Sequence, residues 1–174
     1  KEAIKEEDGV VIMEGYFDVI SAQMAGVKNC VASCGTSLTL DHVKLMSKYT
    51  PSKRIYMAFD LDKAGKMATK RNANIIKEAF GLLGEIKQYD ESYTTLNNDK
   101  YVCELRVINL PNGKDPDEFI RQYGSSEYKK QMQKAPLFLD YQINLILSQK
   151  KDNMTPQEKT TIVKQLIEVL SEIN

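Results

Sequence analysis

Apolar residues in this chain come first in short unbroken runs and then at helical spacing, and the two patterns alternate. Residues 10–13 (VVIM) form a run with no polar break, as expected of a strand covered on both faces in a parallel sheet. From Tyr16 to Ala25 the apolar positions Phe17, Ile20, Ala22 and Met24 suit a helix, and Gly26 can close it in the left-handed conformation. A second short strand is expected at Cys30 to Ser33. Thr39 can then N-cap a helix carrying Val43 and Met46, which Pro51 prevents from continuing. The third strand is RIYMAF at 54–59, followed by a helix from about Ala64 to Phe80 that Gly81 ends. Residues 85–90 and 101–109 resemble two more strands around the polar tip Asn97-Asn98-Asp99, giving a hairpin over about 85–109 that can protrude from the sheet.

After Leu110 the pattern becomes helical throughout. Asp115 can cap a helix with Pro116 in its first position and Gly124 at its end. Helices follow at about Pro136 to Lys150 and Pro156 to Glu172, the latter opened by a capping box of Thr155 and Glu158. The expected architecture is α/β: a mainly parallel sheet flanked by helices through right-handed crossovers, with a C-terminal helical appendage. The domain division expected is 1–124 for the α/β module and 125–174 for the start of a helical subdomain. Ligands of such sheets bind at the carboxyl ends of the strands.

Composition narrows the function classes. With 174 residues and 42% hydrophobic content the chain can bury one sizeable core plus an appendage. Lys+Arg and Asp+Glu both number 24, so there is no bulk attraction to nucleic acid, and any phosphate partner must be met locally. No apolar run approaches the roughly 20 residues of a membrane span. The N-terminus KEAIKEEDG is not a signal peptide, so a cytoplasmic protein is expected. Because Lys1 rather than Met begins the chain, it reads as a piece of something longer. Three cysteines (Cys30, Cys34, Cys103) and the one histidine, His42, lack the paired spacing of a zinc site and read as reduced, small core or half-buried residues.

The candidate chemistry lies in acids at strand ends. Glu14 ends the first strand, and Asp60 and Asp62 end the third, so three carboxylates from separate segments are expected on one rim. At about 4 Å and an effective dielectric near 20, each pair would repel by roughly 4 kcal/mol, so a cation is expected there. An all-oxygen donor set favours Mg2+ or Mn2+ over zinc, and such an ion serves phosphodiester or triphosphate chemistry. The bland alternative is that these acids terminate strands and cap helices. Asp18, Asp115 and Asp117 share that ambiguity, and the Asp115-Pro116-Asp117 turn could also offer carboxylates to a second metal. Lys63, Lys66, Lys70 and Lys77 share one helix face, which is either simply solvated or holds phosphate.

Four segments, in order, resemble bacterial DnaG-type DNA primases. EGYFDV from Glu14 is similar to their EGYMDV, VASCGTSLT at 31–39 to VASLGTALT, FDLDKAG at 59–65 to YDGDxAG, and LPNGKDPDEFIRQYG at 110–124 to the LPxGxDPD turn and its helix. The resemblance implies a TOPRIM fold that binds Mg2+ (or Mn2+) for nucleotidyl transfer and makes RNA primers on single-stranded DNA from NTPs. It implies Glu14 as a metal ligand with acid/base capacity, Asp60 and Asp62 as the main ligands, and Asp18, Asp115 and Asp117 as supporting acids. Lys63, Lys66 and Lys70 become candidate nucleotide or phosphate contacts. Leu61 stands where the family usually has Gly, and a side chain there can restrict substrate approach. The family's zinc-binding domain, basic N-terminal subdomain and helicase-binding C-terminal domain are not in this chain. Zinc and the replicative helicase are therefore expected partners only of missing parts, and the fragment can be inactive alone. Two other readings compete: a haloacid-dehalogenase-like phosphatase, suggested by a hydrophobic strand ending in DLD, and a non-enzymatic interaction module whose acids only cap helices.

Overall fold

The computed structural model of the chain describes residues 1–34, 38–59, 71–76, 78, 104–111 and 115–171. It divides into two compact units, Lys1–Ala135 and Pro136–Asn174. In the first, α1 (Glu2–Glu6), β1 (Val10–Met13), α2 (Tyr16–Met24), β2 (Cys30–Ala32), α3 (Leu40–Ser47) and β3 (Arg54–Ala58) follow one another. Helical backbone at 71–76 is α4, and β4 (Glu104–Val107) and α5 (Pro116–Gln133) complete the unit. The second unit holds α6 (Phe138–Leu147) and α7 (Pro156–Ser171). The short α1 has no counterpart in the apolar pattern, since five residues with one buried side chain, Ile4, leave no period to read.

Strand order is β2-β1-β3-β4, and every described pairing is parallel. In register, Met13 lies opposite Ala58 on one side and Ala32 on the other. All four β1 residues are buried because β1 is interior to the sheet and covered on both faces. Val11, Met13, Tyr56 and Ala58 join a core with Ala22 of α2 and Phe119, Ile120, Tyr128 and Met132 of α5. Val10, Ile12, Ile55 and Met57 alternate to the opposite face and are also buried. Each such side chain contributes about 1.5–3 kcal/mol on burial.

Several details depart from the expectations. α2 forms where expected, but Phe17, Ile20 and Met24 are exposed, and the helix packs through Ala22 with Val19 and Ala25. The packed face of α2 is thus made of shorter side chains than the exposed one. Glu104–Val107 is not a hairpin arm standing off the sheet: it pairs in parallel with β3. The Glu104 carboxylate accepts from Arg54 Nε at 3.1 Å and Arg106 Nε at 2.6 Å, while Arg106 Nη1 donates to the Ala135 carbonyl at 2.6 Å. The expected hairpin up to residue 103, and the 64–80 helix apart from 71–76 and 78, lie outside the described residues. Gly124 does break its helix, with φ 80° and ψ 165°, but helix resumes to Gln133, so the 124/125 position falls inside α5. Gly26, at φ 92°, closes the α2 turn as its lack of Cβ allows. In the second unit, Thr155 Oγ1 accepts from Glu158 N and Thr155 N donates to Glu158 Oε2, the expected capping box.

Candidate metal centre

β1 leads through α2 outward to β2, while β2 leads through α3 back past β1 to β3. The chain thus reverses its direction of travel between β1 and β3, and a crevice at such a switch point opens at the strands' carboxyl ends. Glu14 directly follows Met13 at that end of β1, and the paired Ala58 brings β3 to the same rim. Asp60, two residues beyond Ala58 in sequence, lies outside the described residues, as do Asp62, Lys63, Lys66, Lys70 and Lys77.

The Glu14 peptide is held from both sides. Its carbonyl accepts the Cys34 N–H at 3.0 Å, with Cys34 at φ 58°, and Ser33 N donates to Met13 O at 2.9 Å, so β2 grips the chain as it leaves β1. On the other side Gly15 N–H donates to Asp18 Oδ2 at 3.1 Å. Gly15 is the N-cap of α2 and Asp18 its third residue, so this is the reciprocal half of a capping box, favoured also by the helix dipole.

Asp18 does more than cap. Its carboxylate also feels the backbone N–H of Asp117, at the start of α5. Burial pushes the Asp18 carboxyl above the ordinary range; the N–H groups of Gly15 and Asp117 oppose this, and the charges of Asp115 and Asp117 add to it. Asp115 N-caps α5, its Oδ1 accepting Glu118 N at 2.6 Å. Asp117 Oδ1 accepts from Arg121 Nε at 2.7 Å and from the Ser21 hydroxyl of α2. Asp18, Asp115 and Asp117 are therefore brought together where the N-termini of α2 and α5 meet. Each of the three also has a capping or ion-pairing role. Among the described residues, no group of three or more His, Cys, Asp or Glu is arranged to hold a metal ion.

Ser21 and Arg121 escaped the sequence reading. Arg121 had a signal, the i,i+4 spacing from Asp117. Ser21 had none, because its partner is 96 residues away. Of the cysteines, Cys30 is buried and Cys34 exposed, both free; burial pushes the Cys30 thiol up to about 11, so it is inert. Cys103 lies outside the described residues. No described helix is long and apolar enough to cross a membrane.

A Toprim-like family model matches residues 11–92. The DNA primase of Synechococcus elongatus is 34% identical over 171 residues, which are 98% of this chain and 22% of that protein. A DNA primase domain from Pseudomonas aeruginosa superposes with a TM-score of 0.65 at 25% identity, covering 98% of this chain and 48% of that one. A DnaG primase catalytic domain bound to single-stranded DNA gives 0.64 at 24% identity, covering 99% and 49%. The chain thus spans about a quarter of the length of the curated relatives it matches. The parallel sheet flanked by helices is the Toprim fold of these neighbours. The comparisons do not favour the phosphatase or the scaffold.

Proposed function

From the premise that this chain belongs to the bacterial DnaG-type primases and carries their Toprim module, we propose that it is the nucleotidyl-transfer centre of a primer-synthesising enzyme. The observation that carries this reading is the position of Glu14, the first residue after a fully buried strand, at the switch point of the sheet. Asp60 and Asp62 are the main metal ligands and Glu14 the third carboxylate, with acid/base duty toward a hydroxyl proton. Asp18, Asp115 and Asp117 support them from the neighbouring helix ends. The donors suit a hard divalent ion: all are oxygens, and the burial and mutual repulsion that raise the Asp18 carboxyl are relieved by nearby positive charge.

When bound, Mg2+ or Mn2+ supplies positive charge to the triphosphate oxygens and to the departing pyrophosphate. In the reaction the 3′-hydroxyl oxygen of the growing RNA bonds to the α-phosphorus of an NTP, the bond to pyrophosphate breaks, and the hydroxyl proton is released. The chain's contribution is positioning: β1 and β3 end side by side at one rim, and the Cys34 and Asp18 hydrogen bonds keep the Glu14 backbone from shifting as charge develops. Lys63, Lys66 and Lys70 are assigned to phosphate contact. Single-stranded DNA is the proposed template, supported by the DnaG catalytic domain bound to it. Zinc and the replicative helicase are assigned to segments beyond this chain, and the site of action to the cytoplasm.

The test is Asp60→Ala and Asp62→Ala in the whole protein that carries this chain. Primer synthesis on single-stranded DNA is expected to fall by about a hundredfold or more in both, with unchanged melting temperature. Full priming by either variant would refute the assignment.

A further inference from the structure

Glu14 is held on the α2 side through a series of contacts that ends at a residue with no assigned role. Gly15, next to Glu14, donates its N–H to Asp18 Oδ2 at 3.1 Å. The N-terminus of α5 comes close to the Asp18 carboxylate, whose pKa burial raises, the Asp117 backbone N–H lowers and the Asp115 and Asp117 charges raise. The Asp117 side chain in turn takes the Ser21 hydroxyl and, at 2.7 Å on the same oxygen, Arg121 Nε. Ser21 stands one turn after Asp18 on α2, and Arg121 one turn after Asp117 on α5, so the two ties lie side by side across the helix pair.

We propose that Ser21 is a positioning residue for the metal centre: its hydroxyl fixes the Asp117 carboxylate where the N-termini of α2 and α5 meet, beside the Asp18 carboxylate that holds the Glu14-Gly15 peptide. This inference rests on the reading of Glu14 as a metal carboxylate. The division of labour between the two Asp117 partners supports it. Arg121 belongs to the same helix as Asp117 and is 72% exposed, so it balances charge without joining α5 to anything else. Ser21 is the side-chain partner that reaches across from α2. Without its hydroxyl, the Asp117 side chain keeps its counter-ion but loses its tie to α2. The acids at the two helix N-termini, Asp18 among them, are then less firmly set beside the Glu14-Gly15 peptide. A hydrogen bond to a carboxylate is among the stronger neutral-donor contacts, and hydrogen-bond partners of the acids that serve a metal tune its affinity.

The experiment compares Ser21→Ala and Ser21→Thr in the whole protein, reading the Mg2+ midpoint of primer synthesis and Mn2+ affinity by electron paramagnetic resonance. Alanine is at home in a helix, so Ser21→Ala is expected to fold. Its expected signature is a metal midpoint raised by about tenfold with kcat largely restored at saturating metal, while Ser21→Thr, which retains the hydroxyl, stays near wild type. A Ser21→Ala midpoint equal to wild type overturns the proposal, and so does equal impairment of both variants, because then the hydroxyl is not what matters. Asp60→Ala in the same assay separates the two levels. If it still primes, the metal reading itself has failed; if it is inactive while Ser21→Ala is normal, only the positioning role is lost.

Discussion

Tyr128 is expected to be replaceable by Phe with a gain in stability. Its side chain is fully buried in the core between the sheet and α2, 6.4 Å from the Phe119 ring, and its hydroxyl has no hydrogen-bond partner among the described residues. Burial, and then the neighbouring Cys30 and Asp18, push the phenol far above its ordinary range, so the group is a neutral, desolvated hydroxyl at every accessible pH. An unmet buried hydroxyl costs about 1–3 kcal/mol. Removing the oxygen forfeits a handful of dispersion contacts of about 0.1–0.2 kcal/mol each. The balance favours Tyr128→Phe by about 1 kcal/mol, or roughly 2–4 °C in Tm for a chain of this size. The chain has no Trp, so urea unfolding is best followed by far-ultraviolet circular dichroism, comparing midpoints at unchanged m. A loss of 1 kcal/mol or more would show that the hydroxyl is bonded and the reasoning wrong.

Two further predictions concern the frame around the site. Glu104→Gln is expected to cost about 0.5–1 kcal/mol at neutral pH, modest because Glu104 and Arg54 are 29% and 35% exposed. Burial works against the Glu104 carboxylate, but Arg106 and Arg54 outweigh it and hold the carboxyl below its ordinary value. That stability is therefore present above the ordinary glutamate range and lost as pH falls through the lowered folded value. Urea midpoints of wild type and variant should converge in acid, and a difference that persists there refutes the ion-pair account. Gly26→Ala should cost about 1 kcal/mol although nothing lies within 4 Å of the added Cβ, because φ is 92°. An unchanged thermal midpoint would contradict this.

Among the described residues, the sequence by itself determined much of the local structure and the place of Glu14 at the end of β1. VVIM could only be a doubly covered strand, Thr39, Asp115 and Thr155 could each satisfy free helix N–H groups, and Glu14 had to emerge where β1 stopped. Such features are decided within a few residues, by burial period and capping chemistry, so a linear reading reaches them. Tertiary structure alone decided the rest. Pairing order placed β1 against both β2 and β3, and hence set the switch point beside Glu14. It also drew Glu104–Val107 into the sheet. α2 turned Ala22, Val19 and Ala25 inward and left Phe17 and Met24 exposed, because which helix face meets the core is set by the packing partner and not by side-chain hydrophobicity alone. Asp117 meeting Ser21 follows from two helices packed side by side, and no periodicity in either segment encodes a partner 96 residues away.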